Sequence, residues 1–167
     1  MDGRLDLNSS VSPLTFDWQV RFEQEPTRLA YAYWKECRRD RPMPSRVDLN
    51  PVAMQKFTKH VGLIDVNESA EASRTYFIRR AGTSWEEVYG PITGHFTHEF
   101  LSPAIEKSWR DVFDAVVAAK APVRVVTRID FQGKTWLRCE MFVAPLGEKN
   151  EVAMLFMTFV AWPERAV

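Results

Sequence analysis

Residues 81–94 read Ala-Gly-Thr-Ser-Trp-Glu-Glu-Val-Tyr-Gly-Pro-Ile-Thr-Gly and hold three of the chain's seven glycines, Gly82, Gly90 and Gly94. Ahead of them Arg74 to Ala81 alternates as a strand does, with Tyr76 and Ile78 on one face and Phe77 and Arg79 on the other. Behind them Ser102 to Ala119 has helical period, and Leu101, Ile105, Trp109, Val112, Phe113, Val116 and Val117 fall on one stripe. A strand, short helical turns broken by glycine and then a long helix carry the chain back across the face of a small sheet. Such a lid makes a pocket or a signalling surface and does not by itself make an enzyme. Thr83 or Ser84 is expected to cap the short helix through Val88. Gly82 closes the strand where the chain turns under the lid, and Gly90 and Gly94 suit left-handed stops. Turn duty is the ordinary reading of all three.

The rest of the sheet is read from period-two runs. His60 to Val66 pairs with Arg74 to Ala81 across a polar loop, Asn67 to Ser73. Val123 to Phe131 is β-branched and alternating, Gln132-Gly133 makes a two-residue turn, and Thr135 to Val143 pairs back. Pro145 through Asn150 is expected as a loop. Val152 to Ala161 is apolar on both faces, so this last strand is central or covered. Before the sheet, Leu29, Ala30, Tyr33, Trp34 and Cys37 recur at helical spacing from a Thr27 cap to about Arg39, where Pro42 and Pro44 stop them. Asn50 or Asp48 caps a second short helix whose apolar side is Val52, Met54 and Phe57. Residues 1 to about 25 look like a weakly ordered lead-in that docks through Leu14, Phe16, Trp18 and Phe22. The order predicts an α+β domain: five antiparallel strands, helices on one face, and the N-terminal helix covering the other.

Length and composition bound the function. A chain of 167 residues is one domain with at most an appendage, and its 46% hydrophobic content supports a core. Zero formal net charge argues against nucleic acid, and no apolar run reaches the ~18 residues of a membrane span. Cys37 and Cys139 match no metal or redox spacing, which fits a reducing cytoplasm and small buried hydrophobes. The expected protein is cytoplasmic.

Several stretches, in order, resemble a family of short bacterial stand-alone PAS proteins. They are Tyr33-Trp34-Lys35, then Pro44-Ser45-Arg46-Val47-Asp48-Leu49-Asn50-Pro51, Leu63-Ile64-Asp65-Val66, Arg80-Ala81-Gly82-Thr83, Tyr89-Gly90, Thr93-Gly94, and Glu140-Met141-Phe142-Val143-Ala144-Pro145-Leu146. The resemblance covers roughly residues 27 to 160. It implies a PAS-like domain at 59–163 behind an N-terminal extension of two helices at 1–58. It also implies sensing or signalling through a small ligand, a protein partner, or both, and leaves the cofactor unknown. Some PAS proteins hold haem through a histidine near the long helix, a role His95 or His98 would take. Light-sensing members bind flavin through a cysteine after the short helices, and the Tyr89–Gly94 region has none.

Candidate pocket residues are Phe77, Trp85, Tyr89, Phe96, Phe100, Trp109 and Phe113, which either line a ligand cavity between lid and sheet or pack as plain core. Arg128 and Arg138 interrupt apolar strands. Facing inward they clamp a carboxylate or phosphate; facing outward, the favoured reading, they join cross-strand pairs with Asp130 and Glu140. His95-x-x-His98 is the nearest approach to a metal pair, and no metal is expected. The basic run Lys35, Arg38, Arg39, Arg41 and Arg46 reads as a solvated helix end. With no nucleophile–base pair at a recognisable spacing, the preferred function is a non-catalytic PAS-type module. Its apolar last strand and its Tyr31/Tyr33/Trp34 helix suggest a homodimer. One alternative is a small enzyme of the ketosteroid-isomerase-like cone fold using Asp130, Glu140 and His98. The other is a scaffold that binds only protein, which a void smaller than a few waters between lid and sheet would favour.

Overall fold

The computed structural model describes residues 14–68, 74–129 and 137–164. Its frame is a single antiparallel sheet in the order β1-β4-β5-β6-β2-β3, made of β1 (Thr15–Asp17), β2 (Val61–Asn67), β3 (Thr75–Ala81), β4 (Val123–Arg128), β5 (Leu137–Glu148) and β6 (Glu151–Pro163). The α+β class and the antiparallel sheet are as expected. The strand count is not: there are six among the described residues, because part of the supposed lead-in, Thr15–Asp17, pairs with β4, Phe16 standing opposite Val125. A three-residue strand lies below what an alternation pattern can signal. The expected turn at Gln132-Gly133 and the 69–73 part of the β2–β3 loop fall outside the described residues.

β6 sits between β5 and β2, and its two faces separate two cores. Leu155, Met157 and Phe159 join Ile64, Tyr76, Ile78, Val125 and Met141 on the inner face. Above them lie α2 (Thr83–Tyr89), α3 (Thr97–Phe100) and α4 (Pro103–Ala119). The α4 stripe packs there as its period requires, with Trp109, Val112, Phe113, Val116 and Val117 buried. On the outer face Phe142, Ala144, Leu146 and Phe156 meet Ala30 and Trp34 of α1 (Glu25–Arg38). The two surfaces behind the homodimer expectation, the outer side of β6 and the aromatic helix, therefore cover each other within the chain.

β5 runs on through Pro145 to Glu148, where a loop was expected. Its turn is Lys149-Asn150, both at positive φ (50° and 65°), the two-residue geometry whose twist matches paired strands. Pro145 is tolerated because β4 stops pairing at Val143 and leaves that side of β5 open. The Pro145 carbonyl accepts the buried Trp34 indole N–H at 3.0 Å, which fixes α1 to the sheet.

Three further local expectations change. The second short helix is three 3-10 turns, Arg46–Asp48, Val52–Met54 and Thr58–His60; Met54 and Phe57 are buried but Val52 is exposed. Gln24, not Thr27, occupies the N-cap of α1, and neither Thr83 nor Ser84 caps α2, whose N-cap is Gly82. A Cβ on Gly82 would stand 2.2 Å from the Lys59 carbonyl oxygen, so close backbone approach, not turn freedom, requires glycine here. Gly90 and Gly94 do sit at positive φ, 82° and 85°.

The N-terminus of α1 ends on a carboxylate. Glu140 is wholly buried on the outer face of β5. It accepts the backbone N–H groups of Glu23 and Gln24, each at 2.9 Å, the Thr27 hydroxyl, and Arg124 Nε at 2.7 Å. Helix amides and a guanidinium together stabilise a buried anion that neither would hold alone. The Arg face of β4 is thus outward, and Glu140 is the partner of Arg124.

Candidate functional site

Between α4 and the β4–β5 pair the inner core leaves a small space of about 40 Å³. Trp109, Val112 and Phe113 of α4 form its roof, Ile129, Cys139 and Met141 its floor, and Tyr89, Leu14 and Arg128 its sides. Period two aims Cys139 and Met141 inward while Glu140 between them faces α1, so one strand serves the cavity and the helix dock at once.

Aromatic rings fill the remaining volume. Trp85 lies 6.0 Å from Trp109 and 5.4 Å from Phe159; Tyr89 lies 5.3 Å from Trp109 and 5.7 Å from Phe159. Phe100 closes on Tyr89 and Trp109 at 6.3 and 6.2 Å. These are tilted or edge-to-face contacts, the favourable arrangement for aromatic quadrupoles. Gly62 makes room for the cluster, since a Cβ there would fall 2.7 Å from the Trp85 ring. The Trp85 indole N–H donates to the His60 carbonyl at 2.7 Å.

The structure gathers some of the nine candidate residues and disperses others. Tyr89, Trp109, Phe113 and Arg128 line the cavity, and Trp85 and Phe100 buttress it. Phe77 and Phe96 meet each other instead, at 5.0 Å on the β3 edge. Arg128 leans out to Glu164 at 2.8 Å, and Arg138, directly opposite it in register, is exposed. Arg128 therefore gives the cavity a rim and no inward clamp. Sequence reading overlooked Phe159, Met141 and Leu14 as part of this site. Phe159 was legible as an inward position of a doubly apolar strand; Leu14 depended on the unforeseen β1.

Burial pushes the Cys139 thiol up to about 12, so it stays protonated and un-nucleophilic at neutral pH. Burial likewise holds the Tyr89 phenol well above its ordinary range. Elsewhere in the inner core, burial first and the Asp114 carboxylate second push the Tyr76 phenol up, and its hydroxyl donates to Asp114. Glu106, also buried, accepts from Arg110 Nη2 at 2.6 Å and from the Thr97 hydroxyl at 3.2 Å.

Of the three residues for the alternative acid–base chemistry, the two described ones stand apart. Glu140 faces α1, His98 is exposed on α3, and Asp130 lies outside the described residues. His95 contacts Glu99 at 3.3 Å and His98 stacks on Phe96 at 5.4 Å; both are exposed, neither lines the inner space, and haem does not fit a space of about 40 Å³. Among the described residues no group of three or more His, Cys, Asp or Glu side chains is arranged to hold a metal, and no helix is long and apolar enough to cross a membrane.

A family model described as PAS domain matches residues 22–160. No curated protein matches the chain.

Proposed function

Because the chain belongs to the PAS domain family, a family of sensory and signalling modules, we propose that this member is a non-catalytic module that signals by contact with a protein partner, with its own aromatic side chains in the place a ligand would occupy. The observation that carries this reading is the inner cavity, about 40 Å³. A buried water needs roughly 10–15 Å³ on this measure, so the space holds a few waters. Small-molecule pockets run to roughly 300–1,000 Å³. Trp85, Tyr89, Phe100, Trp109 and Phe159 take up the difference by ring-on-ring packing. The raised Cys139 thiol and the outward Glu140 support the absence of catalysis.

A second reading, binding of a very small apolar guest, is favoured by the lining itself, since Val112, Phe113, Ile129 and Met141 form a mostly greasy wall. Native mass spectrometry of the protein as purified separates the two. The proposal expects the polypeptide mass alone; a stoichiometric adduct lost on denaturation overturns it.

A further inference from the structure

A groove on the far side of the sheet from the lid carries a charge pattern that no described residue answers. It has a volume of about 290 Å³ and runs between the Arg46–Asp48 turn and the tip of the β5–β6 hairpin. Leu146, Ala153 and Met154 give it an apolar lining, with Arg46 and Val47 on the turn side and Glu148 and Glu151 on the hairpin side. Val47 is 84% exposed, the most exposed of the large hydrophobic side chains.

Both walls are fixed. Gly147 N–H donates to the Pro44 carbonyl at 2.9 Å, which ties the turn to the hairpin. Ser45 Oγ accepts Val47 N–H at 3.2 Å, Asp48 accepts Ser45 N–H at 2.7 Å, and Arg41 holds Asp48 at 2.8 Å. The groove is thus preformed, and a partner would order little on entering it.

Glu148 and Glu151 stand directly opposite each other across the hairpin. Like charges in that register destabilise a strand pair. Some exposed carboxylates are answered by a cation, as Asp111 is by Lys107 and Glu68 by Arg74. Among the described residues no ion pair forms on Glu148, Glu151 or Arg46.

A patch that is positive at one end, negative at the other and apolar between is self-complementary under a two-fold axis. We propose that this groove is the interface with a second copy of the chain, in which Arg46 of each protomer meets Glu148 and Glu151 of the other, and Val47 and Met154 close over the axis. The inference rests on the reading that the module works by protein contact. The two fail separately: a bound small molecule ends that reading, whereas a strictly monomeric wild type ends this inference alone.

The test is analytical ultracentrifugation from about 1 to 100 µM, a span that brackets micromolar association, on wild type and two variants. One carries Arg46→Glu, the other Glu148→Arg with Glu151→Arg. Wild type should dimerise, and each variant alone should be weakened by about 100-fold or more because like charges then meet across the axis. An equimolar mixture of the two should recover a heterodimer, since every swapped charge finds its opposite. All three positions are exposed, and unchanged circular dichroism and melting check folding, while the recovered heterodimer shows it directly. A monomeric wild type, variants that dimerise as wild type does, or a mixture that stays monomeric each overturn the assignment; a monomeric wild type would leave the groove to a different protein.

Discussion

Replacing Glu140 by alanine should loosen α1 from the sheet more than any other single charge deletion in the molecule. The side chain is fully buried and accepts from two backbone amides, one hydroxyl and Arg124, whose side chain is only 14% exposed. Removing one partner of a buried ion pair costs about 3–5 kcal/mol, because the other charge is left stranded. A lost helix cap accounts for about 0.5–2 kcal/mol on its own, and these contributions overlap because the same oxygens serve both. We therefore expect about 4 kcal/mol for Glu140→Ala, a large share of the roughly 5–15 kcal/mol that holds a domain. Glu140→Gln keeps the shape and one acceptor but turns an NH₂ group toward other donors, and about 2–3 kcal/mol is expected. Arg124→Met strands the fully buried carboxylate with only the α1 amides and the Thr27 hydroxyl, so about 3 kcal/mol, the low end of the same range, is expected, and a double-mutant cycle between the two positions should show a coupling of about 1–3 kcal/mol. Urea unfolding followed by far-UV circular dichroism measures each, with slopes of about 1–3 kcal/mol/M converting the midpoints. Hydrogen exchange localises the effect, with amides of residues 25–38 opening first. A loss below about 1 kcal/mol for Glu140→Ala, on the scale of an exposed ion pair, or unchanged protection of α1, would refute the cap-and-anchor argument.

Other outcomes follow from the same structure. Gly82→Ala drives a Cβ to 2.2 Å from a backbone oxygen, so destabilisation of about 3 kcal/mol, at the upper end of overpacking costs, is expected by thermal melting. Trp109→Ala should cost about 3–5 kcal/mol and enlarge an apolar cavity enough to bind benzene, read as a benzene-dependent rise in melting temperature that wild type lacks. Lys120 ends α4 in the left-handed region at φ 52°, so Lys120→Gly should stabilise by up to about 1 kcal/mol. His60 is held below its usual pKa chiefly by burial, with the Phe159 carbonyl, 3.2 Å from Nδ1, opposing. Above about pH 6.5, the ordinary histidine value, both folded and unfolded states are neutral and the full stability is present. As pH falls below that, the unfolded chain takes up the proton first and stability declines until the folded pKa is passed. His60→Gln should flatten that decline in a pH series of urea midpoints.

How much of this was legible in the sequence follows from the range of each interaction. The stripe of α4 and the alternation of β3 and β4 read correctly because periodicity reports burial directly. β6 announced two cores because both of its faces are apolar, and Trp34 and Phe142 confirm that α1 supplies the second. What failed depended on contacts distant in sequence. Thr27 looked like a cap, yet the capping carboxylate comes from Glu140, 113 residues away. Pro145 looked like a loop, yet β4 ends just before it and the Trp34 indole takes up its carbonyl. At the site, Tyr89, Trp109 and Phe113 converge because they share the lid and the helix stripe. Phe77 does not, because strand alternation sets it apart from Tyr76 and Ile78, as its pattern already indicated.

The central claim is that the inner core is filled by the protein's own rings. Electron density from a crystal of the protein purified under native conditions tests it most directly, between α4 and the β4–β5 pair. The account predicts Trp85, Tyr89, Trp109 and Phe159 packed edge to face, with at most a few waters beside Met141. Continuous density for an organic molecule there, with Trp109 or Phe113 swung aside to admit it, would contradict it.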